Sequence, residues 1–228
     1  VLRAAAVVLV VALVIGCAGV PKPRPAVEPA AEEKPEAAAE EGAALTETQE
    51  SLVEGARKLE GAKRLLVRGK EFRMDCTGAV AAVYWYAGID ILSPLARYSG
   101  NGVLRLYRYM EEEELLVPAD SPAPGDIVFW DNTYDKDDDG KPNDFLTHTG
   151  VVVSADENGT VVYYHHNYRR GIVLERMNVI EPHVHTKRID GREVVINTPM
   201  RMRGSPDFDL WLAGQLVKSY GRGWRLSQ

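Results

Sequence analysis

The chain has 228 residues, of which 45% are hydrophobic and 26% are charged, so it can form one ordinary globular core with additional segments. This composition excludes a collagen-like or wholly disordered chain. Acidic residues number 33 against 27 Lys and Arg, and the net charge of -6, without a visible basic face, argues against a nucleic-acid-binding protein.

The first segment is typical of an export signal. The apolar run over residues 4–15 is too short to span a bilayer but fits the core of a signal peptide. It ends in Val14-Ile15-Gly16-Cys17, which resembles the lipobox of bacterial lipoproteins. The resemblance implies a signal peptide over 1–16 and a lipid on Cys17 that attaches the protein to a membrane. An ordinary signal peptide or an uncleaved anchor is the alternative.

Residues 17–44 have the composition of a tether. After the cysteine they are almost entirely Ala, Pro and Glu with a few Lys or Arg, and no apolar periodicity is visible. Such a segment cannot bury enough apolar surface to fold. The sequence therefore predicts a lipidated tether over 17–44 and a folded domain over 45–228.

The folded part begins with a predicted helix. Thr46 and Gln49 have the spacing of a capping box, and apolar residues follow near helical spacing as far as Leu66. We expect this helix to cover about residues 47–67.

A second predicted helix carries Cys76 in its first turn. Asp75 is a suitable N-cap, and Gly88 follows the last apolar residue of the pattern. The positive end of the helix dipole stabilises a thiolate, which is the nucleophilic form. If Cys17 is lipidated, Cys76 has no partner in an exported chain, which favours a reactive thiol. A small buried side chain is the alternative.

Three predicted strands bring histidines toward this helix. A turn at Pro124-Gly125-Asp126 leads into an apolar strand over 127–130, and a second strand opens with His148. An Asn158-Gly159 turn then leads into a third strand over 160–166. The three segments predict an antiparallel sheet.

The third strand ends in two adjacent histidines that point to opposite faces. If the face of Val161 and Tyr163 lines the core beside the cysteine helix, His165 is the histidine able to meet His148. His166 takes that place if the strand register slips by one residue. A cysteine nucleophile needs an imidazole base and a third group that orients the imidazole, and these residues can supply both.

Four blocks in this order resemble the NlpC-type cell-wall peptidases and the related CHAP amidases. They are Asp75-Cys76-Thr77-Gly78, Pro124-Gly125-Asp126-Ile127-Val128-Phe129, His148-Thr149-Gly150-Val151-Val152, and the strand carrying His165. The resemblance covers roughly residues 70–175. It implies an α+β, papain-like fold with N-terminal helices packed on an antiparallel β-sheet.

The resemblance also implies an activity. Cys76 would be the nucleophile, His148 the general base and His165 the orienting residue, with no cofactor required. The implied reaction is hydrolysis of an amide bond in peptidoglycan, by a protein anchored in the bacterial cell envelope, on the outer membrane facing the periplasm if the cell is Gram-negative. Rival interpretations are a non-catalytic lipoprotein that binds peptidoglycan or a partner hydrolase, and a thiol acyltransferase. The oligomeric state stays open.

An acidic insert before the second strand has part of a calcium-binding pattern. Asp135, Asp137 and Asp139 alternate as in the first half of an EF-hand loop, but Leu146 replaces the bidentate Glu. Two nearby oxygen donors could substitute for it: Asn143 and Asp144. The pattern is compatible with a structural calcium ion at the three alternating aspartates, and a solvated acidic turn is the alternative.

The remaining segments are expected to complete the same domain. We expect a helix over 103–110, a turn at Asp190-Gly191, a strand over 194–196 and an amphipathic helix over 210–220. His183 and His185 could share a strand face, but no metal-site spacing accompanies them, which favours a pair of loop histidines.

Overall fold

The computed structural model describes residues 44–201 and 210–227. The helices are α1 (Glu47–Leu59), α2 (Cys76–Tyr86), α3 (Gly102–Glu112) and the short α4 (Ala213–Leu216). The strands are β1 (Leu65–Val67), β2 (Lys70–Phe72), β3 (Leu116–Val117), β4 (Ile127–Trp130), β5 (His148–Ala155), β6 (Thr160–Asn167), β7 (Gly171–Asn178), β8 (Thr186–Ile189), β9 (Arg192–Val195) and β10 (Val217–Gly221). The expected signal peptide, Cys17 and all but the last residue of the expected tether lie outside the described residues. Within those residues no helix combines the length and apolarity needed to cross a membrane.

Six strands form one sheet in the order β3-β10-β4-β5-β6-β7, and every neighbouring pair is antiparallel. The hairpins β1-β2 and β8-β9 form two separate two-stranded sheets. The mixed α+β class and the antiparallel sheet are therefore confirmed. The strand predicted over 127–130 is β4, and the two histidine strands are β5 and β6.

The sheet is buried on both faces. On one face Val151 and Tyr164 pack in a cluster with side chains of the first three helices, such as Val80. On the other face Trp130 packs in a second cluster that includes Ala213 of α4. A strand buried on both faces has a continuous apolar sequence, which explains the Ile-Val-Phe-Trp run of β4.

The first helix is shorter than expected, because a hairpin follows it. The capping box of Thr46 and Gln49 is confirmed, but α1 ends at Leu59 instead of continuing to about residue 67. Leu65–Val67 is strand β1, which pairs with β2 across a turn whose central residues have φ angles of 49° and 79°. Two positive φ angles define the turn that matches strand twist in a hairpin, and they end helical geometry.

The expected helix over residues 210–220 is wrong. Only Ala213–Leu216 is helical, and Val217–Gly221 forms β10, which lies between β3 and β4. Leu212, Leu216 and Tyr220 are buried at intervals of four, which a helix and this helix-then-strand arrangement satisfy equally.

The remaining expectations are close: α3 covers residues 103–110, Asp190 and Gly191 form a turn, and the strand expected over 194–196 is β9.

Candidate active site

The start of α2 places Cys76 at the first position of a helix. Asp75 has extended backbone angles, and its Oδ1 accepts a hydrogen bond of 2.7 Å from the N–H of Gly78, as expected for the N-cap. Gly78 permits a close approach, because a Cβ at this position would lie 2.1 Å from the carbonyl oxygen of Arg73. Cap and glycine together fix the turn from which the Cys76 side chain projects.

Strands β5 and β6 bring the two predicted histidines together. Nε2 of His148 lies 2.8 Å from Nδ1 of His165, and the two rings meet nearly edge to face at 87°. Gly150 makes this close pairing possible, since a Cβ there would come 2.6 Å from the Tyr164 carbonyl and 3.2 Å from Cβ of His165. His165, and not the alternative His166, is thus the hydrogen-bond partner of His148.

The structural premise for choosing His165 is nevertheless wrong. Val161 and Tyr163 pack in the cluster on the sheet face away from α1–α3. His165 meets His148 because both rings lie against Trp130. The ring centroid of Trp130 is 6.4 Å from that of His165 and 5.6 Å from that of His148. The expected contact of His165 with His148 is present, but on the sheet face opposite to the one expected.

Cys76 and both histidines line one cavity of about 660 Å³. His166 is in the same lining and is partly buried. A second cavity of about 460 Å³ is lined by Cys76 and Tyr134 as well. The thiol therefore lies where the two cavities meet.

The thiol is held in its protonated form. Burial raises the pKa of Cys76, and the Asp75 carboxylate raises it further, while hydrogen bonds from Thr77 and Thr149 act in the opposite direction. The expected thiolate at the helix start is therefore opposed by desolvation. Attack by Cys76 then requires a base that takes the proton as the reaction proceeds.

This electrostatic balance predicts slow alkylation of the resting protein. Iodoacetamide should react slowly with Cys76 at pH 7, and the rate should keep rising above about pH 8.5, the ordinary thiol value. Mass spectrometry of the modified protein measures the rate, and Cys76→Ala gives the background from Cys17. A rate that is already maximal near pH 6 would instead indicate a preformed thiolate.

Both histidines of the pair are neutral at physiological pH. Burial lowers the pKa of His148 well below its usual value, with smaller contributions from His165 and His166. Burial lowers the pKa of His165 to about 3, and the charge of Arg170 adds to this effect. A neutral imidazole has one lone-pair nitrogen, so His148 can accept a proton.

Burial of these neutral rings predicts a stability that declines in acid. Unfolded histidines bind protons below about pH 6.5, whereas the folded His148 and His165 do not, so the free energy of unfolding should fall between about pH 6.5 and pH 3. Asp126 acts in the opposite direction, because burial raises its pKa to about 7 and the folded state binds that proton first. Because two imidazoles destabilise the fold in acid and one carboxyl stabilises it, the net free energy of unfolding should still fall.

Urea unfolding of the wild type and of His165→Gln at pH 6.5 and pH 4.5 tests this stability prediction. The variant should lose less stability between the two pH values, because it has one fewer buried imidazole to protonate. Equal losses in both proteins would assign the acid sensitivity to other groups.

Three residues near the site were not identified from the sequence: Glu175, Arg170 and Tyr134. The Glu175 carboxylate is buried, lies 3.3 Å from Nε2 of His165 and pairs with the guanidinium of Arg170. The sequence position of Glu175 could have identified it, since it lies on the strand face of Val173 and Met177, where burying a charged side chain is costly. Tyr134 belongs to the acidic insert and gave no such signal.

The acidic insert gathers a different set of carboxylates from the one expected. Carboxylate oxygens of Asp135, Asp137 and Asp144 lie within 4.8 Å of one another. Asp139 instead accepts hydrogen bonds from the backbone N–H of Lys141 and from the Asn143 side chain. Asp144, which the sequence offered only as a substitute, replaces Asp139 in the cluster.

The remaining two histidines lie outside the cavity. Nδ1 of His183 is 2.9 Å from Nε2 of Gln215, and Nδ1 of His185 is 2.8 Å from the carbonyl oxygen of Asn197. Neither belongs to a group of possible metal ligands within the described residues. Both histidines lie between β7 and β8, so the expected pair of loop histidines is confirmed.

The site thus combines a thiol at a helix N-terminus, a neutral imidazole and a second imidazole bonded to it. Such an arrangement can perform nucleophilic attack on a carbonyl carbon with proton transfer to the imidazole. Comparisons with known proteins add no relative: a scan against family models, a search of curated proteins and a search of solved structures each found no match.

Proposed function

We propose that this protein is a cysteine hydrolase that cleaves an amide bond in peptidoglycan, within the stem peptide or between stem and sugar. The observation that supports the proposal is the 2.8 Å contact between His148 and His165 in the cavity that Cys76 lines. A helix carrying the nucleophile and an antiparallel sheet carrying both histidines are also what a papain-like fold of the NlpC or CHAP type requires.

The first chemical step is attack by sulfur. As Sγ of Cys76 forms a bond to the scissile carbonyl carbon, the thiol proton passes to His148, which then gives it to the leaving amine. The raised pKa of the thiol and the lowered pKa of His148 make a neutral pair the resting state. Proton transfer therefore accompanies bond formation.

The start of α2 can stabilise the charge that develops on the carbonyl oxygen. Backbone N–H groups in the first turn of a helix have no acceptor within the helix, and the N–H of Cys76 is one of these. Collapse of the tetrahedral intermediate expels the amine and leaves a thioester on Cys76. Water activated by His148 then hydrolyses the thioester and frees the enzyme.

The lining of the cavity is consistent with an acidic peptide substrate. Arg169 lies on its wall, and the cavity volume of about 660 Å³ accommodates a short peptide segment. Arginine recognises carboxylates, which stem peptides carry. A lipid on Cys17 and the tether over 17–44 would hold this domain near its substrate in the cell envelope.

The proposal is tested by incubating the protein and Cys76→Ala with intact peptidoglycan and with soluble muropeptides, followed by liquid chromatography and mass spectrometry. New fragments from the wild type alone would support hydrolysis, and their masses identify the bond. An acylated acceptor would favour a thiol acyltransferase. Intact muropeptides together with binding of both proteins to the insoluble cell wall would favour a non-catalytic binding protein.

We also propose calcium as a structural ligand of the acidic insert, at Asp135, Asp137 and Asp144. Calcium prefers several carboxylate oxygens, and these three can reach one ion. Native mass spectrometry of the protein with added calcium should show one bound ion, and Asp137→Asn should lose it. The neighbouring Asp138→Asn, outside the cluster, should retain it. No bound ion in the wild type would overturn this proposal.

A further inference from the structure

The buried Glu175 carboxylate lies directly behind the histidine pair. Its side chain is 3% exposed, and its Oε2 lies 3.3 Å from Nε2 of His165, a contact that falls outside regular hydrogen-bond geometry. Burial of a carboxylate is costly unless donors surround it. The groups around this carboxylate therefore show how its charge is satisfied.

Each oxygen of Glu175 has two neighbours. Oε1 accepts a hydrogen bond of 3.1 Å from Nδ2 of Asn167 and pairs with the Arg170 guanidinium. Oε2 accepts a hydrogen bond of 3.2 Å from the hydroxyl of Tyr163 and faces His165. Asn Nδ2 and Arg are obligate donors, and the Tyr hydroxyl donates here, so the carboxylate is satisfied as an anion.

We infer that Glu175 is a positioning residue that sets the proton positions of the histidine pair. A lone pair on Nε2 of His165 would face a carboxylate oxygen and be repelled, so Nε2 carries the proton. The neutral ring then has its lone pair on Nδ1, which accepts the proton of Nε2 of His148 across 2.8 Å. This leaves Nδ1 of His148 as the atom that takes the thiol proton.

The substitution Glu175→Gln is expected to reverse this pattern. The obligate donors of Asn167 and Arg170 retain the amide oxygen at the position of Oε1, so the amide NH₂ faces His165. That NH₂ favours a lone pair on Nε2, which moves the ring proton of His165 to Nδ1. Nδ1–H then donates to Nε2 of His148, and the proton of His148 moves to Nδ1, where it blocks the base.

The first measurement is independent of any substrate. In protein labelled with ¹⁵N-histidine, long-range ¹H–¹⁵N spectra at neutral pH report which ring nitrogen carries a proton. The wild type should show His148 and His165 protonated at Nε2, and Glu175→Gln should show both protonated at Nδ1. Thermal melting establishes that the variant is folded. Wild-type rings protonated at Nδ1, or an unchanged pattern in the folded variant, would overturn the inference.

The second measurement rests on the proposed hydrolysis. Glu175→Gln should lower kcat by at least about 100-fold with little change in KM, since a wrong imidazole tautomer impairs proton transfer but not binding. Glu181→Gln is the matched control, because it removes an ion-paired carboxylate outside the cavity and should leave kcat unchanged.

The two measurements separate two kinds of failure. Absence of muropeptide cleavage by the wild type would count against the hydrolase, while the ring spectra would still decide the role of Glu175. Cleavage at wild-type rates by folded Glu175→Gln would overturn the inference and leave the hydrolase proposal in place.

Discussion

If the proposed muropeptide hydrolysis is correct, replacing His148 with glutamine is expected to lower its kcat by about 100- to 10,000-fold, the range that a general base contributes. The Cys76 thiol has a raised pKa, so His148→Gln removes the imidazole that we propose takes its proton during attack. KM should change little, because His148 is one of many residues that line the cavity proposed to hold the substrate. Steady-state kinetics on a purified muropeptide measures both constants.

The neighbouring histidines provide graded controls for this prediction. His165→Gln should lower kcat less than His148→Gln does, since it removes the orienting ring but leaves the base. His166→Gln should lower kcat even less than His165→Gln, because this partly buried ring lines the cavity but is not the 2.8 Å partner of His148. A larger loss for His166→Gln than for His165→Gln would make His166 the third member.

Gly78→Ala is expected to be among the most destabilising single-methyl additions in the domain. The new Cβ would lie 2.1 Å from the carbonyl oxygen of Arg73 and 2.9 Å from its carbonyl carbon, and backbone atoms cannot move away as a side chain can. Overpacking typically costs 1–3 kcal/mol, so we expect a loss of at least about 3 kcal/mol. Urea unfolding measures it.

Gly69→Ala is the matched comparison. Its φ angle is +79° and nothing lies within 4 Å of an added Cβ. The free energy of unfolding should therefore fall only by the penalty of left-handed backbone, about 1–2 kcal/mol. Because Gly78 sits two residues after Cys76, its substitution should also displace the thiol and lower activity in the protein that still folds. A Gly78→Ala protein as stable as Gly69→Ala would contradict the close approach of Gly78 to the Arg73 carbonyl oxygen.

The parts of the fold that local sequence determines were predicted from it. The cap of Thr46, the cap of Asp75 and strands β4 to β6 depend on residues close together in the chain. The alternation of side chains along β6 limited the partner of His148 to His165 or His166, which is a short-range property. The choice of His165 rested on the wrong sheet face, and the register of β5 against β6 decides the pairing.

The parts that depend on distant segments were not predictable. Burial of Leu216 and Tyr220 fits a helix locally, but pairing of β10 with β3 and β4 decides the structure there. In the same way Asp144 joins the acidic cluster only through the folded course of the insert. Helical periodicity cannot report either contact, because both are set by tertiary structure.

The position of β10 has a consequence for the order of folding. This strand comes late in the chain, yet it lies between β3 and β4. During synthesis β3 to β6 emerge from the ribosome before β10, and until then β3 and β4 have no neighbour on the sides that β10 later occupies. Pairing between segments so far apart is slow, and exposed strand edges promote association. The nascent chain is therefore expected to need chaperone protection until β10 has been made.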